Sequence, residues 1–441
     1  MKIQACLFFV LIMLPSCKEN EKSSVIKQRP NIVFIISDDQ AWTDYGFMGH
    51  PEIETPNIDE LARKSLTYTR GYVTAPLCCP SLASIISGLY PHQHLVTGND
   101  PVFETDARGY SEEWLSERMN HFDTLISRFR EQPLLTNILS EQGYVSFQTG
   151  KWWMGSYMDG GFDYGMTHGI PENGGRHGDE GLKIGREGMD TIYHFLDMAQ
   201  SEKKPFFLWY APFLPHTPHN PPDSLLQKYL KNADSEPLAR YRANCEWFDI
   251  TVGRLMGYLQ ENNLMENTAV FYVCDNGWVQ NPDKRNRYMK GSKRSPYDMG
   301  IRTPIMLHWP GRIESRMDTV TLTSSIDMVP TVLEFLNIPK SEDMPGISLL
   351  NYKELTSRNT IFSEVYYHDM NSMLEPPKNL KYRVIIRDNM KMVLPYDRNL
   401  PDSSIKLYNI MNDPLEKNNI SNEYPQKIKE LTTVLNKWWE P

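Results

Sequence analysis

An Asp-Asp pair, an Asp-Asn pair and a pair of adjacent cysteines carry the chemistry that this sequence can do. Asp38-Asp39 stands directly after an apolar run at residues 31–36, and Asp275-Asn276 stands directly after residues 271–274. Ligands of open α/β sheets bind beyond the carboxyl ends of strands, so these pairs would deliver three carboxylates and an amide to one edge. All four are hard oxygen donors, a set that suits Ca²⁺ or Mg²⁺ better than zinc. Either pair alone reads as a turn or a helix cap, and the two together favour a metal site. Cys78-Cys79-Pro80-Ser81 precedes a helical stretch at residues 82–87 that Gly88 closes. A cysteine at such a junction faces the positive end of the helix dipole, where thiolates and anions are favoured. The alternative is a pair of small buried thiols capping a helix, and residue chemistry does not choose between Cys78 and Cys79.

These residues need a scaffold that ends several strands at one edge. Residues 31–36 are continuously apolar and β-branched, the pattern of a strand buried on both faces of a parallel sheet, and residues 145–148, 206–210, 269–273 and 305–308 repeat it. Helical segments separate most of these runs. Pro56 opens one with Ile58, Leu61, Ala62, Ser65 and Leu66 on a face, and residues 134–142 make another, closed by Gly143. A longer helix covers 239–261 with Phe248, Val252, Leu255 and Leu259 at helical spacing, and 326–336 is a further helix. The alternation predicts an α/β fold, a large doubly wound mixed sheet flanked by helices. Beyond residue 350 the pattern changes to short antiparallel strands at 382–387, 391–394 and 406–408 and a terminal helix at 425–439, a small C-terminal α+β subdomain. The expected division is a catalytic domain over 30–350 and a subdomain over 351–441. The long connections at 159–188 and 279–298 are where function is expected to reside.

The 441 residues are 40% hydrophobic and 23% charged, which excludes a disordered chain and leaves enough apolar surface for a sizeable core. A formal net charge of -9 argues against nucleic acid as a partner, because a phosphate backbone needs clustered cations. Lys2 followed by the apolar run at 7–14 has the form of an export signal, too short to span a bilayer. Leu14-Pro15-Ser16-Cys17 resembles a bacterial lipobox. On that reading residues 1–16 are a signal peptide that is removed, Cys17 carries the lipid, and the polar stretch at 17–29 is a tether. The expected location is that of an exported lipoprotein, periplasmic or outer-membrane associated, with the membrane touched only through the lipid anchor. Cys78, Cys79, Cys245 and Cys274 are too scattered to be a disulfide framework.

Cys78-Cys79-Pro80-Ser81 followed by Ile86-Ser87-Gly88-Leu89-Tyr90-Pro91 resembles the signature of the formylglycine-dependent (type I) sulfatases of the alkaline-phosphatase superfamily, Cys-x-Pro-Ser-Arg and then Leu-Thr-Gly. Further blocks match in family order: Asp38-Asp39, Thr149-Gly150-Lys151-Trp152, Pro215-His216-Thr217-Pro218-His219, Asp275-Asn276-Gly277, the segment around Lys293 up to Arg302-Thr303-Pro304, and Leu407-Tyr408-Asn409 with Asp413-Pro414 and Glu416. Two positions depart from the pattern. The family's Arg after Pro-Ser is Leu82, and its frequent Lys-Trp-His is Lys151-Trp152-Trp153.

The resemblance implies that a formylglycine-generating enzyme oxidises Cys78 to an aldehyde, whose hydrate attacks sulfur with one hydroxyl and expels sulfate with the other. It implies that Asp38, Asp39, Asp275 and Asn276, with the modified Cys78, bind a cation, usually Ca²⁺ with Mg²⁺ as the alternative. Lys151 and Lys293 would hold the sulfate, and His216 would protonate the departing sugar oxygen, a task suited to a group whose pKa lies near ambient pH. Trp152, Trp153, Arg176, His177 and His219 are candidates for contact with the sugar, since aromatic faces stack on sugar rings and cations meet further anions. Tyr157, Trp278, Arg285 and Arg287 lie on the same loops. The expected function is hydrolysis of a sulfuric ester on a sulfated oligo- or polysaccharide. The alternatives are a catalytically inactive, lipid-anchored binder of sulfated glycans and a related phosphodiester or phosphonate hydrolase.

Overall fold

The computed structural model describes residues 29–102, 112–169 and 178–441. The export signal, Cys17 and most of the tether lie outside the described residues, as do Arg176 and His177. The dominant element is a mixed sheet. Across it the strands run Thr323–Ser324, Leu66–Tyr72, Arg302–His308, Thr268–Cys274, Asn31–Ser37, Phe206–Ala211, Val145–Gly150 and Tyr164–Gly165, and Arg316–Asp318 pairs with Leu66–Tyr72 beside that line. Arg302–His308 is antiparallel to both its neighbours, and the four central strands from Thr268–Cys274 to Val145–Gly150 are parallel.

The continuous apolar runs are explained by burial on both faces. Ile32, Phe34 and Ile36 pack into one cluster and Val33 and Ile35 into the other, and Phe207, Trp209 and Ala211 alternate in the same way with Phe206, Leu208 and Tyr210. Helices Cys78–Ser87, Leu135–Glu141 and Met328–Phe335 cover the first face. Pro56–Lys64, Asp190–Ser201 and Glu236–Glu261 cover the second, the last through Phe248, Val252, Leu255 and Leu259. Each such side chain withdrawn from water contributes about 1.5–3 kcal/mol. Among the described residues no helix is long and apolar enough to cross a membrane.

Two expectations need correction. The helix after Thr55 ends at Lys64, so Ser65 and Leu66 are not on its face, and Leu66 opens the strand Leu66–Tyr72. Its Thr67, Thr69 and Arg70 disguise it as a loop, yet all seven residues are buried, with Arg70 bonded to the carbonyls of Val320 and Asp388. The helix expected at 82–87 begins at Cys78 instead. Pro80 falls in its first turn, where a missing N–H costs nothing.

The smaller sheet is antiparallel, in the order Thr360–Tyr366, Leu380–Arg387, Met390–Pro395, Lys406–Asn409. The helix Pro425–Trp438 covers one face through Leu431 and Leu435. The other face packs Val384, Ile386, Val393 and Tyr408 against Tyr72, Val73, Ile301 and Leu322 of the larger unit. A fully buried ion cluster crosses this join. Lys391 Nζ lies 2.8 Å from both Asp298 Oδ1 and Glu416 Oε1, and Tyr72 donates to Asp298 Oδ2. Burial pushes the Glu416 carboxyl up to about 7 even with Lys391 beside it. Removing one member strands buried charge, so Lys391→Met is expected to lower stability by about 3–5 kcal/mol, read as a fall in the urea midpoint. An unchanged midpoint would show that the cluster contributes nothing to the join.

Candidate active site

The register of the central strands sets the site. Ser37 pairs with Cys274, so the residues that follow emerge side by side at the carboxyl edge. The Asp275 N–H donates to the Ser37 carbonyl, and the Asp39 N–H donates to Asp275 Oδ1 at 3.1 Å. Asp39 sits in the left-handed region at φ 63, which an Asp tolerates better than most side chains and which turns the chain sharply after Asp38. Lys151 follows the strand Val145–Gly150, held by its N–H on the Ala211 carbonyl. Gly150 has φ +75, and a Cβ there would lie 1.9 Å from the Ala211 oxygen, so this joint accepts only glycine.

Cys78 opens its helix at the centre of these groups, 1% exposed. Its Sγ lies 3.0 Å from Lys151 Nζ, 3.3 Å from Lys293 Nζ and 3.4 Å from Asn276 Oδ1. Lys151 Nζ is 2.5 Å from Asp38 Oδ1 and 3.6 Å from Asp275 Oδ2, and Lys293 Nζ is 2.6 Å from Asp39 Oδ1. The structure distinguishes the two cysteines. Asp38, Asp39, Cys78 and His216 bring ligand atoms within 4.8 Å of one another, a group that does not include Cys79, whose backbone N–H donates to Asn99 Oδ1. His216 is the partly open member. Its Nδ1 bonds to the Thr217 carbonyl at 2.7 Å and its Nε2 lies 3.4 Å from Asp39 Oδ2.

Three buried carboxylates face two ammoniums, an excess of one negative charge when all are ionised. Burial pushes the Asp38 carboxyl well above the carboxylate range and raises Asp275, and in each case Lys151 draws the group down by less. Burial also works against the Lys151 ammonium, but Asp38, Cys78 and Asp275 outweigh it and keep the group charged. Asp38 Oδ2 and Asp275 Oδ2 are buried without a hydrogen-bond partner among the described residues. Orphaned, desolvated oxygens beside an uncompensated charge fit a hard divalent cation, and the amide and carboxylate donors supply what Ca²⁺ or Mg²⁺ prefers. The same burial pushes the Cys78 thiol up to about 12 in spite of both lysines, so as a thiol it is a poor nucleophile at neutral pH.

The outer candidates separate. Trp152 is 1% exposed and wedged among Phe129, Phe162 and Trp209, so it is a core residue and not a face for a sugar. Trp153 lies beside the site, its ring centroid 6.0 Å from Lys151 Nζ, and it is 5% exposed. His219 is buried between Tyr241 and Trp278, its ring nitrogens without a partner among the described residues, and burial lowers it to about 4, so it is neutral near pH 7. Trp278 itself is buried, and Arg285 is ion-paired with Glu236 at the surface. Leu82 is in the core and brings no cation to Cys78. Sequence reasoning missed Arg186, whose guanidinium donates to the carbonyls of Phe213 at 2.6 Å and His216 at 2.8 Å and so fixes the loop that carries His216. The only signal was its place in the long connection at 159–188.

Residues 30–338 match the family described as Sulfatase, and residues 288–440 match the one described as N-sulphoglucosamine sulphohydrolase, C-terminal. N-acetylgalactosamine-6-sulfatase of Canis lupus familiaris is 28% identical over 362 residues, 73% of this chain and 66% of that enzyme, so the chain spans just under two thirds of the relative's length. Ulvan-active sulfatase of Formosa agariphila is 24% identical over 451 residues, 93% of this chain and 80% of that protein. The solved structure of Ps i-CgsB in complex with k-i-k-neocarrahexaose shares the fold with a TM-score of 0.72 and 24% identity, covering 93% of each chain.

Proposed function

This chain belongs to the sulfatase family, and from that premise we propose that it is a sulfuric ester hydrolase that removes sulfate from a sulfated saccharide. The observation that carries the reading is Cys78, held at 3.0 and 3.3 Å by two ammoniums above three buried carboxylates. The names of the relatives support the substrate class, since one is an N-acetylgalactosamine-6-sulfatase and another is ulvan-active.

Asp38, Asp39, Asp275 and Asn276 would hold a hard divalent cation, Ca²⁺ or Mg²⁺. Bound there, it would draw charge from the sulfate oxygens and reverse the sign of the cluster to one positive charge, which matches the single charge of a sulfate monoester. Conversion of Cys78 to formylglycine by a formylglycine-generating enzyme would replace the inert thiol with a hydrated aldehyde, an activated oxygen nucleophile. Lys151 and Lys293 flank that position and orient the sulfate. His216 donates its Nδ1 proton to the Thr217 carbonyl, so a second proton on Nε2 makes an imidazolium. Nε2 lies 3.4 Å from Asp39 Oδ2 and is the atom that would deliver a proton to a departing alcohol.

Peptide mass spectrometry tests the reading on protein made with a converting enzyme: the Cys78 peptide is expected about 18 Da lighter, the thiol-to-aldehyde exchange. An intact thiol, where a control sulfatase is converted in the same cells, would remove the proposed nucleophile. For the acid, His216→Ala is expected to lower kcat/KM on a sugar sulfate by about 10²–10⁴-fold, but on 4-nitrophenyl sulfate, whose alcohol leaves unaided, by less than about tenfold. Equal losses on both esters would take the proton-donor role from His216.

A further inference from the structure

Lys293 belongs to two spaces. Its ammonium reaches Cys78, and it also lines a cavity of about 360 Å³ between the connection at 288–297 and the small antiparallel sheet. Four more cations line that cavity, Lys290, Arg294, Lys381 and Lys406, against the single carboxylate of Asp402. Asp402 is already paired with Lys406 at 2.9 Å. Among the described residues Lys290, Arg294 and Lys381 have no carboxylate within ion-pair distance. Burial and the neighbouring Arg294 guanidinium both pull the Lys381 ammonium down, against a weaker opposing pull from Asp397. Cations in excess of their counter-charge in a partly buried cavity repel one another until an anion joins them.

The backbone holds this arrangement in place. Arg294 is in the left-handed region at φ 63, a conformation that costs a side chain of its size about 1–2 kcal/mol, and its N–H is fixed on the Pro76 carbonyl at 2.9 Å. The turn thus places neighbouring residues on two tasks, Lys293 at the reacting group and Arg294 in the cavity. Tyr288 and Tyr382 supply apolar walls of the kind that sugar faces meet.

Resting on the sulfatase reading, we propose that this cavity binds a second anionic group, a sulfate or a carboxylate, on the same saccharide, with Arg294 and Lys381 as specificity-determining residues. The substrate class is then a glycan carrying at least two anions, the second on a part of the chain that reaches the small sheet. The volume lies within the range of small-ligand pockets.

Titration calorimetry on the Cys78→Ala protein tests this with two probes, sucrose octasulfate and trigalacturonate. The octasulfate is expected to bind, and Arg294→Asn with Lys381→Gln to weaken it at least about tenfold and to flatten its salt dependence. Asn suits the left-handed turn and leaves the N–H to Pro76 in place. Trigalacturonate binding with the same loss assigns the cavity to carboxylates as well, and its failure to bind assigns it to sulfate. With Cys78 intact and converted, the two substitutions should leave kcat/KM on 4-nitrophenyl sulfate within twofold. Unchanged octasulfate affinity, or an equal loss on the aryl ester, overturns the proposal. A wild-type protein that hydrolyses no sulfate ester yet needs Arg294 and Lys381 to bind the octasulfate would sink the sulfatase reading and leave the cavity standing.

Discussion

Cys78→Ala is expected to lower kcat on 4-nitrophenyl sulfate by about 10⁴-fold or more, while Cys79→Ala keeps it within about threefold of wild type. The two thiols are adjacent and equally buried, so the contrast isolates position. Of the two, Cys78 lies between the ammoniums, and the Cys79 backbone N–H on Asn99 is retained by alanine. Loss of the Cys79 sulfur opens a small cavity worth about 1 kcal/mol. The Cys78 variant should keep its melting temperature, because Lys151 and Lys293 retain Asp38 and Asp39 as partners. Comparable losses at both cysteines would mean that the nucleophile is misassigned.

Lys151→Ala is expected to lose both activity and stability, and a divalent cation should separate the two. Without the ammonium, Asp38 loses its 2.5 Å partner and Asp275 its nearest cation, inside a site where burial already penalises their charge. Stranding a buried carboxylate costs about 3–5 kcal/mol, so the unfolding free energy from urea titration in chelator should fall by that much relative to wild type. Excess Ca²⁺ supplies counter-charge and, at about 100 times its Kd, returns about 2.7 kcal/mol. It is not expected to return turnover, because the lost group is also the one proposed to orient the sulfate. If Ca²⁺ raised the stability of neither protein, the carboxylate cluster would not be a cation site.

Most of the scaffold was legible because its physics is local. A strand buried on both faces must be apolar throughout, and 31–36, 206–210 and 269–273 are, whereas Leu66–Tyr72 reaches full burial with threonines and an arginine whose partners lie about 250 residues or more away in the chain. The placement of Asp38-Asp39 and Asp275-Asn276 at one sheet edge was legible because they follow recognisable strands, whereas Lys151 entered only through the resemblance of its block. Aromatic residues on site loops were not, since nothing in Trp152 or Trp153 tells a core wedge from an exposed face, and only the packing of Phe129, Phe162 and Trp209 decides it. Arg186 was invisible for another reason. It binds backbone carbonyls, which carry no side-chain signature. The Lys391 cluster joins residues 93 apart to complete a buried charge balance that no local pattern announces.

The burial of Cys78 also places events in time. At 1% exposure beneath the lysines and the aspartates, residue 78 cannot be reached by another enzyme's active site once the molecule has closed. Closure depends on late residues, because the segment around Lys293 is tied through Asp298 to Lys391 and Glu416. At about 5–20 residues per second, some tens of seconds separate the synthesis of residue 78 from that of residue 416. The oxidation proposed at Cys78 would have to precede closure. A chain that folds before it happens keeps its thiol for as long as it stays folded, so the active fraction of a preparation is set by a race during synthesis and cannot be raised by later treatment of the folded protein.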